Sequence, residues 1–430
     1  MFVLRNAQSI GSRWIQAIQD HARSCLEIMS RAWVINRQIS WDYDSYCWRK
    51  RVDIAAWINT IRTWLVGLCE SKREIIYSVN IPKKIAPSNP AIIHVIPNVF
   101  MGGSTQLVVD LHNHLGTQYS MEVVTSASPH NAQHQGMVIH RQAQADPNKL
   151  ASLLQLRKPD FVHLHYWGGS DDPWYRAFFE AAGALNITVL QNVNTPVSPF
   201  NHRTVAMNVF VSKTIRTLDD AANKPGRVIY PGIDLNHFRP GAFDVHASDS
   251  IGMVYRLEPD KLNLQSIEPF IEIVKKRPKT RAYIIGDGQL FAPFVRRVKS
   301  AGTFSNIVFT GAVSYSRLPK FYKQFKVFVS PVWQESFGQV TPFAMAMGLG
   351  VAGNRVGALP EILGGHETLG VDIDDTVQRT IELLDNKMWL AEVGELNRKR
   401  AVRMFSMSSM IDSYGALYSD LSGTGRKRYR

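Results

Sequence analysis

The sequence has few cysteines and no long apolar run. Its 430 residues include three cysteines, Cys25, Cys47 and Cys69, and none belongs to a C-x-x-C pair. This spacing argues against a zinc or redox site, and a reducing cytosol fits best. A membrane-spanning helix needs ~20 charge-free apolar residues, but the best candidate, residues 54–69, contains Arg62. The first thirty residues also lack an apolar core followed by a cleavage site, so we expect no secretion signal.

Positive charge is concentrated at the two ends of the chain. Composition is otherwise ordinary for a globular protein, with 45% hydrophobic residues and a net charge of +13. Residues 1–90 carry +6 and the tail 426–430 carries +4, whereas residues 91–425 carry only +3. A nucleic-acid enzyme more often spreads its basic residues along a binding groove. We therefore expect no nucleic-acid partner.

Two successive series of short apolar runs predict two parallel sheets. Each run is rich in β-branched residues and precedes a stretch of helical character, which is the pattern of βαβ units. The first series begins at residues 91, 121, 161, 187 and 208, and the second at 250, 281, 306, 326 and 350. Proline and glycine cluster between the two series, at 230–243. We therefore predict two doubly wound α/β domains in tandem.

Residues 1–90 have a different character. They show no strand alternation, hold six of the ten tryptophans, and place apolar residues at spacings of three and four in segment 54–69. This pattern predicts a basic helical extension. Its apolar stripe either packs on another part of the protein or on a second copy, as in a homo-oligomer, or it rests on an anionic membrane surface.

Segment 334–363 carries the most informative functional pattern. Residues 335–340 follow a predicted strand and precede a helix, and a second glycine turn, 356–358, precedes another helix near Pro360. Free N–H groups at helix starts hold anions, and ligands of open α/β sheets bind at the carboxyl ends of strands. The two turns therefore predict a crevice suited to a diphosphate.

This segment resembles the donor-binding domain of the retaining glycosyltransferases of family 4, which have the two-domain GT-B fold. The matching positions are Glu335, Phe337, Gly338, Ala344, Met345, Ala346, Gly348, Val356, Gly357, Pro360 and Glu361. Further family elements occur in the expected order at 228–240, 254–263, 284–290 and 311–324. In the amino-terminal half, Gly102, Gly103 and the run PDFVHLH at 159 also match. The resemblance excludes the first 90 residues.

The resemblance implies the main roles at the donor site. Glu335 would contact hydroxyls of the donor sugar and support an oxocarbenium-like transition state. Arg256 and Lys261 would bind the diphosphate, whose charge grows as the glycosidic bond breaks. Backbone N–H groups would hold sugar and phosphate oxygens, at Phe337, Gly338, Gln339 and Val340.

The amino-terminal half supplies the remaining candidates. Gly102 and Gly103 follow the first strand, and their missing side chains would let a loop approach the donor phosphate. His165 matches a family histidine near the transferred sugar. Asn192 and Asn194 end the next strand, where they could reach an acceptor.

The sequence departs from the family pattern in the nucleoside pocket, which the resemblance places at Gly286, Val313 and Phe343. Phe343 stands where the family has a second glutamate that hydrogen-bonds the donor ribose, and a phenyl ring cannot accept those bonds. Tyr255 replaces the glycine that precedes the arginine, and Gly350 replaces a proline.

These observations combine into one prediction of fold and function. The predicted parts are a helical extension at 1–90, an acceptor domain at 91–240, a donor domain at 241–405, and a returning helix with a basic tail at 406–430. We predict a retaining, metal-independent glycosyltransferase without a cofactor, which moves a hexose or deoxyhexose from a nucleotide diphosphate sugar to a saccharide or lipid-linked glycan. It would be cytoplasmic, or peripheral on the inner face of a membrane. The alternatives are a catalytically weak GT-B module that binds a glycan or a protein, and a sugar transferase acting on DNA.

Overall fold

The computed structural model describes residues 89–99, 102–128, 136–217, 225–241, 249–365 and 367–423. All of them belong to one compact unit, Ile81–Arg430. Except for Asn89 and Pro90, the predicted helical extension lies outside the described residues, and so does the basic tail. Within the described part of the chain, no helix combines the length and the apolar character that crossing a bilayer requires.

The first domain is built on a sheet of seven parallel strands in the order β3-β2-β1-β4-β5-β6-β7. Its central strands are buried along nearly their whole length, as expected for a parallel sheet covered on both faces. The strand order reverses between β1 and β4, so a crevice opens at their carboxyl ends. The strands are β1 Ala91–Val95, β2 Ser120–Thr125, β3 Val138–Arg141, β4 Phe161–Tyr166, β5 Val189–Val193, β6 Val205–Phe210 and β7 Gly226–Val228.

Helices connect these strands and cover the sheet. The helix bounds are α1 Gly103–Leu115, α2 Pro147–Arg157, α3 Asp172–Ala184 and α4 Lys213–Arg216. Helix α2 shows why the chain turns helical where it does. The side chain of Asp146 accepts hydrogen bonds from the first-turn N–H groups, and Pro147 occupies the first turn, where its missing N–H has no cost.

The second domain has a sheet of six parallel strands in the order β10-β9-β8-β11-β12-β13. Here the order reverses between β8 and β11, which defines a second crevice. The strands are β8 Ser250–Val254, β9 Arg281–Ile285, β10 Ile307–Gly311, β11 Val327–Ser330, β12 Gly350–Asn354 and β13 Leu369–Gly370. The prediction of two doubly wound α/β domains is therefore confirmed.

The helices of the second domain include several short ones around the crevice. Their bounds are α5 Glu268–Lys276, α6 Phe291–Ser300, α7 Leu318–Tyr322, α8 Val340–Ala346, α9 Leu359–Leu363 and α10 Ile373–Asp385. One-turn 3-10 helices occur at Gly169–Asp171, Leu264–Ile267 and Tyr315–Arg317.

The last two helices carry the chain back to the first domain. Helix α11 spans Lys387–Met404 and α12 spans Met407–Leu421. At the crossing, the N–H of Ile233 donates to the carbonyl of Phe405 (2.8 Å), and the N–H of Met407 donates to the carbonyl of Ile233 (3.0 Å). Tyr414, Leu417 and Tyr418 of α12 then complete the core around β1, β4 and α1. The first domain is thus finished by the end of the chain.

A single carboxylate also joins the two domains. Glu361 of α9 accepts hydrogen bonds from the N–H groups of Lys213 (2.8 Å) and Thr214 (2.9 Å) at the start of α4. It also accepts from the hydroxyls of Thr214 (2.8 Å) and Tyr230 (2.7 Å). Burial raises the pKa of Glu361, but these hydrogen bonds outweigh burial and leave the pKa below its ordinary value.

Candidate active site

The crevice of the second sheet is organised around Glu335, in the loop between β11 and α8. The side chain of Glu335 has 0% exposure. Its Oε1 accepts from the N–H of Ser336 (3.0 Å) and pairs with Nζ of Lys261 (2.5 Å), which follows β8. Its Oε2 is buried without a hydrogen-bond partner. Because β8 and β11 flank the point where the strand order reverses, this ion pair lies where a ligand is expected.

Two glycines make room for this carboxylate. Gly338 and Gly357 both have positive φ, 66° and 51°, which side-chain-bearing residues rarely adopt. A Cβ on Gly338 would collide with the carboxylate of Glu335, and a Cβ on Gly357 with its backbone carbonyl. That carbonyl also accepts from the N–H of Ala358 (2.9 Å), at the start of α9. The two glycine turns predicted from the sequence therefore meet at Glu335.

The loop that carries Lys261 is held by the residues just before Glu335. The N–H of Trp333 donates to the carbonyl of Lys261 (3.1 Å), and its indole N–H donates to the carbonyl of Pro259 (3.1 Å). The side chain of Gln334 donates to the carbonyl of Asp260 (2.6 Å). Sequence reasoning missed Trp333 and Gln334, whose only signal was adjacency to Glu335. Together they fix the spacing between the cation and the carboxylate.

Arg256 takes a different position from Lys261. Its side chain is 58% exposed and pairs with the exposed Asp260 (2.7 Å) rather than with Glu335. An exposed pair of this kind is weak, so the guanidinium can exchange Asp260 for an anionic ligand at little cost. Both predicted cations therefore follow β8. Lys261 is paired with the buried carboxylate of Glu335, and Arg256 lies on the surface.

Tyr255, the departure from the family pattern beside Arg256, is buried against this site. Its hydroxyl hydrogen-bonds Oγ of Ser330 (2.7 Å) at the end of β11. Burial raises the pKa of Tyr255, and the negative charge of Glu335 raises it further. The phenol is therefore neutral.

The glycine loop of the first domain meets the loop of the second. A Cβ on Gly103, at the start of α1, would lie 3.6 Å from Oε1 of Gln339, whereas a Cβ on Gly102 would meet only open space. The side-chain amide of Gln339 donates to the carbonyl of Gly232 (3.4 Å). The structure thus brings Gly103 close to Gln339, while Val340 begins the seven-residue helix α8.

The ring of Phe337 belongs to the protein core rather than to the crevice. It packs on Tyr230 and Phe405, with ring centroids 5.9 Å and 5.4 Å away. The ring of Phe337 is therefore part of the core packing, and the contact predicted for its backbone N–H stays a prediction.

The residues predicted for a nucleoside pocket do not form one exposed surface. Gly286, with φ 139°, lies against the carbonyl of Tyr255, where a Cβ could not fit. Val313 is partly buried and packs against the hydrophobic core of the second domain. Phe343 is only 3% exposed, and its ring stacks on Phe238 with centroids 4.0 Å apart and planes within 5°. Its ring therefore takes part in an aromatic cluster, which Tyr315 completes edge-on at 5.8 Å.

His165 and Asn192 lie inside the first domain. His165 has 0% exposure, and its Nε2 lies 3.1 Å from Nδ1 of His94. Asn192 is also fully buried and accepts a hydrogen bond from the hydroxyl of Tyr414 in α12 (2.5 Å). Asn194, which accepts from Asn192 (2.6 Å), is half-buried. His165 and Asn192 thus make contacts inside the first domain, and the roles predicted for them stay predictions.

Comparisons with known proteins agree with this architecture. Residues 248–386 match the family described as Glycosyl transferases group 1. D-inositol 3-phosphate glycosyltransferase 2 of Catenulispora acidiphila is 25% identical over 309 residues, covering 60% of this chain and 70% of that protein. The lipopolysaccharide core biosynthesis mannosyltransferase LpsB of Rhizobium meliloti is 25% identical over 217 residues, covering 46% and 61%.

Solved structures share the whole two-domain fold. Anabaena HepE, in complex with UDP and glucose, superposes with a TM-score of 0.65 at 15% identity, covering 77% of this chain and 100% of that one. Sucrose-phosphate synthase from Thermosynechococcus elongatus gives 0.61 at 17% identity, covering 78% and 100%. These matches show the GT-B fold. The family match, over residues 248–386, includes Arg256, Lys261 and Glu335.

Proposed function

We propose that this GT-B glycosyltransferase moves a hexose or deoxyhexose from a nucleotide diphosphate sugar to a saccharide or lipid-linked glycan, with retention of anomeric configuration. The acceptor class is supported by the relatives, one of which is a lipopolysaccharide core mannosyltransferase. Use of a nucleotide sugar is supported by the fold shared with a protein crystallised with UDP and glucose. Assembly of a cell-surface polysaccharide or glycan fits both.

The observation that carries this proposal is the buried carboxylate of Glu335. One oxygen is committed to Lys261 and Ser336, and the other has no partner although it is buried. A buried acceptor left without a donor costs roughly 1–3 kcal/mol, so proteins keep such groups chiefly where function needs them. A hydroxyl of the donor sugar would supply the missing donor. The same contact would hold the sugar while its anomeric bond breaks.

Two cations are placed to stabilise the negative charge of the diphosphate leaving group. Lys261 is fixed beside Glu335, and Arg256 is exposed next to it, so a donor diphosphate can lie along both. The charge on the diphosphate increases as the glycosidic bond breaks, and fixed cations stabilise that increase. The reaction we propose draws on these side chains and uses no resident metal or organic cofactor.

The experiment is a donor screen with the purified full chain. Hydrolysis and transfer are followed with UDP, GDP, TDP and ADP sugars, and the anomeric configuration of the product is read by NMR. Glu335→Gln keeps the shape of the side chain but weakens its hydrogen-bonding, and should lower turnover by roughly 10²–10³-fold. Glu272→Gln, a surface carboxylate paired with Lys275, is the matched control and should keep full activity. Turnover of Glu335→Gln close to that of the unsubstituted chain would overturn the role of the carboxylate.

A second candidate function is a catalytically weak module that binds a glycan or a protein. It is favoured by Phe343, whose buried ring stands where the family has a ribose-binding carboxylate. A thermal-shift screen with the four nucleoside diphosphates separates the two functions. An active enzyme should be stabilised by one of them, since a ligand at 100 times its Kd contributes ~2.7 kcal/mol. A weak module should show neither stabilisation nor turnover.

A further inference from the structure

The indole of Trp333 is exposed at the carboxyl-end edge of the second sheet. Of the four tryptophans in the described residues it is the only exposed one, with 47% of the residue accessible to solvent. It lies two residues before Glu335, in the loop that follows β11. A single exposed apolar side chain is ordinary on a protein surface, so the position and the anchoring of this one carry the argument.

The indole is anchored by two hydrogen bonds. Its ring N–H donates to the carbonyl of Pro259 (3.1 Å), and the backbone N–H of Trp333 donates to the carbonyl of Lys261 (3.1 Å). The ring thus reaches from the loop after β11 to the loop after β8. These two loops flank the point where the strand order reverses, which is where ligands of open α/β sheets bind. The ring is therefore held in a fixed orientation beside the crevice.

Among the residues that the structure describes, no aromatic ring stacks on the indole of Trp333 and no cation lies over it. The rings of Phe337 and Phe343, by contrast, pack on other rings. The ring N–H of Trp333 is already bound to Pro259, so what the side chain offers a ligand is the face of the ring. That face is electron-rich and attracts the positive ends of C–H bonds.

The order of the strands places Trp333 on the sugar side of the proposed donor site. In the sheet, β9 and β10 lie on one side of β8, and β11 lies on the other. Gly286 and Val313, predicted for the nucleoside, follow β9 and β10, whereas Trp333 and Glu335 follow β11. With the diphosphate at Lys261, after β8, the nucleoside extends toward β9 and the sugar toward β11. The indole therefore lies on the side that receives a sugar rather than a base.

We propose that Trp333 is the stacking platform for a hexose ring in the crevice, an inference that rests on the function proposed above. The C–H groups on one face of a hexose form an apolar patch, which matches the electron-rich face of the indole. An axial hydroxyl on that face would separate the two rings, so the same contact discriminates between epimers. The hexose is either the transferred sugar or the accepting ring of the acceptor, and the kinetics below distinguish these two sources.

Two substitutions separate the platform from the anchoring of the Lys261 loop. Trp333→Phe keeps an aromatic face but loses the N–H that binds Pro259, whereas Trp333→Ala loses both. Phe304→Ala is the matched control, because Phe304 is similarly exposed (48%) but precedes β10, at the amino-terminal end of the sheet. If Trp333 served only to anchor the loop, its Phe and Ala variants would behave alike.

Kinetics with the donor found in the screen locate the hexose. Donor hydrolysis without acceptor, transfer to the acceptor, and calorimetric binding of the nucleoside diphosphate are measured for each variant. Trp333→Ala should raise the KM of one sugar substrate roughly tenfold, since about 50 Å² of apolar surface loses its cover, and Trp333→Phe should restore most of that loss. A raised donor KM identifies the transferred hexose, and a raised acceptor KM identifies the acceptor. Unchanged KM values in Trp333→Ala, or equal rises in both variants, would overturn the platform.

Saturation-transfer NMR with free sugars keeps a failure of this proposal apart from a failure of the proposed function. Glucose, galactose and mannose are each added at millimolar concentration to the full chain. Signals from the C–H groups on one face of one hexose should weaken in Trp333→Ala and persist in Trp333→Phe and Phe304→Ala. Signals that depend on Trp333 without turnover of any nucleotide sugar would refute the transferase and keep the platform. Turnover with signals and KM values that ignore Trp333→Ala would refute the platform and keep the transferase.

Discussion

The ε-ammonium group of Lys261 lies 2.5 Å from Oε1 of Glu335, and the two side chains differ sharply in exposure. Glu335 is completely buried, whereas 34% of the Lys261 side chain is accessible to solvent. Lys261 is therefore the more accessible member of the pair. A diphosphate can approach the cation without first displacing the carboxylate. The local sequence pattern gave no indication that the carboxylate of Glu335 would be buried.

Lys261→Met should weaken the binding of nucleoside diphosphates far more than the binding of the nucleoside, because the lost interaction is with phosphate. It should also lower the free energy of unfolding by about 2–3 kcal/mol, since the carboxylate of Glu335 loses its buried partner. Calorimetric titration with both ligands and urea unfolding measure the two effects. Lys275→Met, which breaks a surface pair with Glu272, is the control and should change neither. Equal loss of affinity for diphosphate and nucleoside would refute the phosphate contact.

Phe343→Glu should destabilise the second domain by about 3–5 kcal/mol, because it removes a ring stacked on Phe238 and buries a carboxylate without a partner. Phe343→Leu keeps the site apolar and should cost about 1.5 kcal/mol or less. Urea unfolding gives both values. The glutamate variant should show no gain in nucleotide affinity. A clear gain would mean that the pocket still accepts the family's carboxylate and that the natural site has decayed.

Glu361→Gln should weaken the contact between the domains in a pH-dependent way. The pKa of Glu361 is lower in the folded chain than in the unfolded chain, so its stabilisation is fully present above the unfolded value near 4.5. That stabilisation is lost as the pH falls through the folded pKa. At pH 7 we expect a loss of about 1–2 kcal/mol, discounted because the carboxylate is only half-buried. Urea midpoints should differ at pH 7 and converge as the pH falls through the folded pKa of Glu361, and a constant difference would contradict this account.

Asp110→Asn should remove a pH dependence of the folding stability that has the opposite sign to that of Glu361. Burial raises the pKa of this α1 carboxyl to about 7, despite a hydrogen bond from Gln106 (2.7 Å). The folded chain therefore binds the proton more tightly than the unfolded chain, and stability falls as the pH rises from about 4 to about 7. By urea unfolding, the variant should gain stability relative to the unsubstituted chain as the pH rises from about 4 to about 7, and the gain should level off above that range. Asp374→Asn, on an exposed first turn, should leave the pH profile unchanged. If unfolding free energy varied with pH in the same way for Asp110→Asn and the unsubstituted chain, the raised pKa of Asp110 would not be the cause of the pH dependence.

The charged ends of the sequence should direct the protein to anionic membranes. Each basic residue near such a surface contributes roughly 1 kcal/mol, so binding to anionic vesicles should fall with rising salt. Replacing the four basic residues of the tail 426–430 by glutamine should weaken co-sedimentation strongly. The charge-matched control replaces four exposed lysines of the second domain, at 275, 276, 279 and 299. An equal loss in both variants, or no sedimentation at low salt, would remove the membrane role.

The central strands could be predicted from the sequence because each is buried on both faces and therefore consists of a continuous apolar run. All ten predicted runs correspond to strands. The strands that were missed are β3, β7 and β13, which lie at sheet edges and are two to four residues long. An edge strand faces solvent on one side, so its residues carry no uniform apolar signal.

The donor loop was predictable for a related reason, whereas long-range contacts were not. A Cβ at position 338 or 357 would collide with Glu335, so both positions need glycine. The two glycines in the local sequence therefore indicate the conformation of the loop. The stacking of Phe343 on Phe238 and the meeting of His94 with His165 join segments 71 or more residues apart. No local periodicity encodes which distant strand or loop a side chain will face. The burial of Asn192 under α12 was missed for the same reason.

The return of α12 to the first domain also sets an order of events during synthesis. The sheet begins at Ala91, but Tyr414, Leu417 and Tyr418 cover it only after more than three hundred further residues have been made. At ~10 residues per second, a ribosome needs roughly half a minute for that interval. Throughout it, this core lacks the side chains that α12 contributes. The core of the first domain is therefore completed only after the second domain has been made, and a chain that ends before residue 410 lacks part of it.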